Sequence, residues 1–169
     1  MVQDSPSVYV WSALTILIAI LLQMLPLSAA AAQWRPQFVL LTVCYWLFRR
    51  PLLHGIGFAW LCGLALDFVI GDLIGRHALV FAICACILLL LQQRMRHFRL
   101  VHQAILVLLL VALSQCLVYV LTLILRFDWQ GTVRLAPAVS SMLFWPVLVI
   151  VLSRLHWTRW GEEEISPGP

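Results

Sequence analysis

Six apolar runs separated by short polar punctuation make up almost the whole chain. They cover residues 8–27, 37–48, 52–70, 77–91, 101–125 and 135–153. The runs are continuous rather than alternating, which predicts helices and excludes a barrel of period-two strands. Several are long enough to cross a hydrocarbon core about 30 Å thick. The expected fold is an all-α polytopic membrane protein of about six transmembrane helices, with 37–48 and 77–91 the weakest spans. Pro36 suits a helix start, because the first amides of a helix have no intrahelical partner. Trp145-Pro146 reads as a local break in the last run, since an interior proline removes one helical hydrogen bond. Residues 1–155 are expected to form a single transmembrane bundle. Residues 156–169 are expected to form a cytoplasmic tail, acidic at "GEEE" and disordered.

Composition strengthens this picture. The chain has 169 residues, 63% hydrophobic and 11% charged, with a mean hydropathy of +1.00. A soluble domain of this size needs far more polar surface. The connections are too short to hold a soluble domain, so recognition must occur within the bundle or on its faces. The first run lacks a basic leader and an export cleavage pattern, so it is expected to stay as a span.

The net charge of +4 comes from eleven arginines and no lysine. They sit at the ends of the runs, which points to orientation and lipid headgroups rather than nucleic acid. Seven fall on the side of the two termini: Arg49, Arg50, Arg94, Arg96, Arg99, Arg154 and Arg159. Four fall on the other: Arg35, Arg76, Arg126 and Arg134, accompanied by Asp72 and Asp128. Both termini are therefore expected to be cytoplasmic. Arg94, Arg96 and Arg99 form the densest basic loop.

One segment departs from the apolar pattern. Every fourth residue from position 55 is Gly55, Ala59, Gly63, Asp67, Gly71 and Gly75. Small residues at this spacing let a second helix approach closely, within the same bundle or from a partner. Asp67 lies on the same stripe, about 22 Å from the start of its run. A carboxylate at that depth should face protein or a wet crevice rather than lipid. Arg35 and Arg76 are its candidate polar partners. Asp72 reads as a loop charge paired weakly with Arg76.

Known intramembrane chemistries find no constellation here. There is no second intramembrane aspartate for a protease dyad, no G-x-S-G serine, no phosphate-binding glycine loop and no metal-ligand spacing. The histidines fall near run ends, where they are ordinary interfacial residues. Ser114 and Gln115 read as interhelical hydrogen-bonding groups. Cys44, Cys62, Cys84, Cys86 and Cys116 behave as small hydrophobes, and Cys84 and Cys86 point about 200° apart on a helix. No enzyme, metal or cofactor is expected.

The stretches "RPQFVLLTVCYWLFRRP" and "GFAWLCGLALDFVIGDLIGRHAL" carry a more specific pattern. It runs Arg-Pro, Tyr-Trp, a proline after the helix, then a glycine-rich helix with Asp, two further glycines and Ala-Leu. This resembles the MreD family of rod shape-determining proteins, along nearly the whole chain. The positions matching the family pattern are Arg35, Pro36, Tyr45, Trp46, Gly63, Asp67, Gly71 and Gly75. The resemblance implies a noncatalytic inner-membrane scaffold of the cell-elongation machinery, similar in fold to the S-components of energy-coupling-factor transporters. It implies binding to MreC through its transmembrane helix, in company with MreB, RodA and penicillin-binding protein 2. The alternative is a small-molecule or lipid-intermediate binding or transport subunit of S-component type. Such a binder needs several polar groups converging on one cavity, and the chain offers only Asp67, Ser114, Gln115 and Arg35.

Overall fold

The computed structural model describes residues 6–51, 53–71, 74–95, 100–126 and 135–163. They form α1 (Pro6–Met24), a short α2 (Ala29–Gln33), α3 (Phe38–Arg49), α4 (Ile56–Ile70), α5 (Arg76–Met95), α6 (Leu100–Arg126) and α7 (Ala136–Glu163). The six long helices follow the six apolar runs. Two stretches, Leu100–Ile124 and Ala136–Arg154, are long and apolar enough to cross a membrane. Val8–Met24, Ile56–Ile70 and Arg76–Leu91 are apolar but shorter.

The shortest of the six is the hub. α3 has 12 residues, about 18 Å of helix, and packs against α1, α4, α5, α6 and α7. Every residue from Val39 to Leu47 is buried. A helix that is hydrophobic all round belongs in a core. α3 is therefore enclosed by its neighbours along most of its length.

α4 and α5 form the most extensive helix pair, followed by α6 and α7. Large apolar side chains also cover the outside of the bundle, among them Leu14, Leu17, Leu109, Leu143 and Ile150. So much exposed hydrocarbon calls for apolar surroundings.

The helices depart from the sequence expectation at Pro51, at Pro146 and at the end of α7. Pro51 and the turn after it delay α4 to Ile56, with the His54 amide donating to the Arg50 carbonyl at 2.9 Å. α7 is not broken at Pro146 but continues through it. Trp145 beside it is buried and packs on Phe48, ring centroids 5.8 Å apart, so tertiary packing carries the helix past the missing bond. α7 also extends to Glu163, and residues 164–169 of the expected tail lie outside the described residues.

Candidate functional site

The corner between α4 and α5 is organised by one residue. Asp67 is fully buried in the last turns of α4. Its backbone carbonyl accepts the amide of Gly71 at 3.0 Å, which closes α4. Its carboxylate accepts the amides of Gly75 at 2.9 Å, His77 at 3.1 Å and Ala78 at 3.3 Å. These are the amides that a helix start leaves without intrahelical partners. A negative charge there is also favoured by the helix dipole. With Nδ1 protonated, the His77 imidazole donates to the same carboxylate at 2.6 Å. One aspartate thus ends one helix and begins the next.

The approach that makes this possible depends on Gly63, one turn earlier on the same face. A Cβ at Gly63 would lie 2.6 Å from Ala78 Cα and 2.6 Å from the His77 carbonyl oxygen. Both are backbone atoms of α5, so no rotamer change could relieve the clash. Ala59, another turn back, is fully buried as well. Gly63 and Asp67 together seat the first turn of α5.

The four-residue stripe divides at this point. Gly71 and Gly75 have φ of +70° and +97°, values that L side chains rarely adopt. A Cβ at Gly55, Gly71 or Gly75 meets nothing within 4 Å. Gly55 stands outside α4 as its N-cap, with extended backbone. These three glycines stand at turns, and the close helix approach belongs to Gly63, against α5 of the same chain.

A second set of polar contacts joins the helix ends beside this corner. The Arg35 guanidinium donates to the carbonyls of Gln23 and Leu25 at the end of α1. The Gln23 side chain in turn accepts the Phe38 amide at the start of α3, at 3.1 Å. The Gln37 amide donates to Ser141 Oγ of α7 at 3.1 Å, and Ser114 Oγ of α6 lies 2.8 Å from Gln37 Oε1. Arg76 reaches Thr122 of α6 at 3.3 Å. A small cavity of about 40 Å³, lined by Gln23, Gln37, Leu66, Ile70, His77 and Phe81, separates the two sets. That volume suits a few water molecules. The whole arrangement is a polar collar tying α1, α3, α4, α5, α6 and α7 at one end of the bundle.

Of the expected partners of Asp67, Arg35 is thus directed to α1 and Arg76 reaches α6, while His77 and three amides hold the carboxylate. Ser114 makes the interhelical bond expected of it. Tyr45 and Trp46, of the family pattern, are buried in α3. Trp46 Nε1 donates to Thr15 Oγ1 at 2.9 Å, and Arg49 lies over the Tyr45 ring. Asp72, Arg96 and Arg99 lie outside the described residues, as does the side chain of Arg94.

Sequence reasoning missed both histidines that matter. His77 was placed among ordinary interfacial residues, although it opens the helix that follows the Asp67 turn. His54 was placed there too, yet it is 1% exposed. Its ring sits 4.5 Å from Phe58, 5.1 Å from Trp46 and 6.4 Å from Tyr9, centroid to centroid. Neither ring nitrogen has a hydrogen-bond partner. Burial pushes this imidazole below its ordinary value near 6.5. The available signal was the aromatic spacing around Pro51, too common in an apolar chain to stand out.

Comparison with known proteins gives one consistent result. The family model described as rod shape-determining protein MreD matches residues 5–155. A relative from Haemophilus influenzae, "Rod shape-determining protein MreD", is 28% identical over 142 residues, which cover 82% of this chain and 86% of the relative. No solved structure matches the chain.

Proposed function

The chain belongs to the MreD family of rod shape-determining proteins, and we propose that it acts as a noncatalytic inner-membrane scaffold of the cell-elongation machinery. In this reading the six long helices all span or enter the membrane, with both termini cytoplasmic. The protein binds the transmembrane helix of MreC and helps couple peptidoglycan synthesis to MreB filaments, alongside RodA and penicillin-binding protein 2.

The observation that carries the reading is where the polar groups are used. Asp67, His77, Arg35, Gln23, Gln37, Ser114 and Ser141 all bond to other parts of the same bundle. A catalytic or ligand-binding centre keeps polar groups directed at an open space that its substrate can fill. Here the polar cavity is about 40 Å³, room for a few waters. That weighs against the alternative of a small-molecule transport subunit. The outer surface remains apolar, as a protein that docks other helices in lipid requires.

The test is co-purification from membranes in mild detergent. MreC should be retained by this protein and lost when the MreC transmembrane helix is replaced by an unrelated apolar helix. Retention that depends only on the periplasmic part of MreC would refute helix docking. Reporter fusions placing the two termini on opposite sides would refute the six-span topology.

A further inference from the structure

Between α1, α3 and α7 lies a groove of about 210 Å³ that the scaffold reading does not use. Its floor is made by Ala19 and Thr42, both 3% exposed, and its lips by Ile18, Val147 and Val151, all about half exposed. Thr15 and Thr42 do not make it polar. The Thr42 hydroxyl donates to the Phe38 carbonyl at 2.8 Å. The Thr15 hydroxyl lies 2.9 Å from the Trp11 and Ser12 carbonyls and accepts Trp46 Nε1. With their hydroxyls engaged, both threonines act as hydrocarbon.

The apolar lining of the groove suits hydrocarbon. One end of the groove is basic. On α3, Phe38, Thr42 and Arg49 share a face within about 40°, with Arg49 about 10 Å beyond Thr42 along the axis. Arg49 is exposed, its guanidinium carbon 5.8 Å from the Tyr45 ring centroid. On α7, the exposed Arg154 lies seven residues beyond Val147, about 20° from it around the axis, and Val147 lines the groove. Both arginines stand at the same end, because α3 and α7 start together at the collar, where the Gln37 amide meets Ser141.

We propose that the groove between α1, α3 and α7 seats one acyl chain of an anionic phospholipid, with its phosphate held at Arg49 and Arg154. This rests on the membrane-embedded reading above and adds a lipid site to it. The arginines supply the charge complementarity, and the groove supplies the register of the chain.

The experiment is native mass spectrometry of the full-length protein, purified in detergent, stripped of lipid and offered dioleoylphosphatidylglycerol or dioleoylphosphatidylethanolamine. One phosphatidylglycerol should be retained in preference to phosphatidylethanolamine. Arg49→Gln should lower phosphatidylglycerol retention about fivefold, the effect of one arginine near an anionic headgroup, and leave phosphatidylethanolamine unchanged. Ala19→Leu should lower retention of both lipids by filling the floor, and Val147→Phe on the exposed lip provides the same test should the floor variant fold poorly. Equal retention of the two lipids, or phosphatidylglycerol retention unmoved by these changes, overturns the proposal. So does loss of MreC from the groove variants with lipid retention intact, because the groove would then be a helix seat. Failure of the wild-type protein to retain MreC refutes the scaffold and leaves the lipid result to stand by itself.

Discussion

The two corners flanking α4 each hold a histidine, and they do so by opposite means. At the α4–α5 corner, His77 is tied to a buried carboxylate that also gathers three backbone amides. At the α3–α4 corner, His54 has no hydrogen bond on its ring and is enclosed by Tyr9, Trp46 and Phe58. The first corner is built from directed contacts, so it fixes both geometry and spacing. The second is built from shape, and its burial disfavours the charged imidazole. An imidazole can be accommodated either way, but the two solutions fail under different challenges.

The largest expected effect is at Asp67. Asp67→Leu strands three amides and the His77 ring, and each buried unsatisfied donor costs about 1–3 kcal/mol. Thermal unfolding in detergent should show a severe loss, together with reduced protein in membranes. Asp67→Asn keeps an acceptor and should be clearly milder. Equal loss from both would mean that charge, not hydrogen bonding, holds the corner.

Next comes a pair of glycines in the same helix. Gly63→Leu forces α5 away, and overpacking of this kind costs about 1–3 kcal/mol or more. A Cβ at Gly57 meets nothing within 4 Å, so Gly57→Leu should be near neutral by the same measurement. Similar losses at both sites would remove the close helix approach from the account.

The His54 corner should respond to acid. Its imidazole is held below the ordinary value near 6.5, so the folded protein takes up a proton less readily than the unfolded chain. The stabilisation is therefore full above pH 6.5 and is lost as pH falls through the depressed folded value. Unfolding temperature, followed from about pH 8 down to about pH 5, should drop in the wild type and drop less in His54→Phe. An unchanged slope in that variant would contradict the aromatic cage.

The smallest effect is at Gly71, where φ is +70°. Gly71→Ala places a Cβ in the left-handed region, which costs about 1–2 kcal/mol, with open space around it. A loss as large as that of Gly63→Leu would mean that Gly71 packs against something beyond its own turn.

The contrast also explains what the sequence could disclose. Continuous apolar runs and their punctuation were enough for six long helices, because helix periodicity is local. They could not separate burial in lipid from burial in protein, so nothing in them marked the short α3 as the enclosed hub. The carboxylate at Asp67 was conspicuous, and arginines were the visible partners for it. Its actual partners are a histidine and backbone amides, and amides occur at every residue, so only the turn of the chain could select them. The glycine stripe looked like one device because period four is easy to see. Its members serve two purposes: Gly63 provides close approach, and Gly71 and Gly75 provide positive φ. The His54 cage joins residues from α1, α3 and α4, a juxtaposition no local pattern encodes.

The central claim is that this bundle uses its buried polar groups to hold itself together and presents its faces to partners. A native mass spectrum of the protein co-expressed with MreC tests it most directly. The account predicts a complex that retains MreC and carries no nonlipid small molecule. A protein that binds a stoichiometric nonlipid ligand and releases MreC would contradict it.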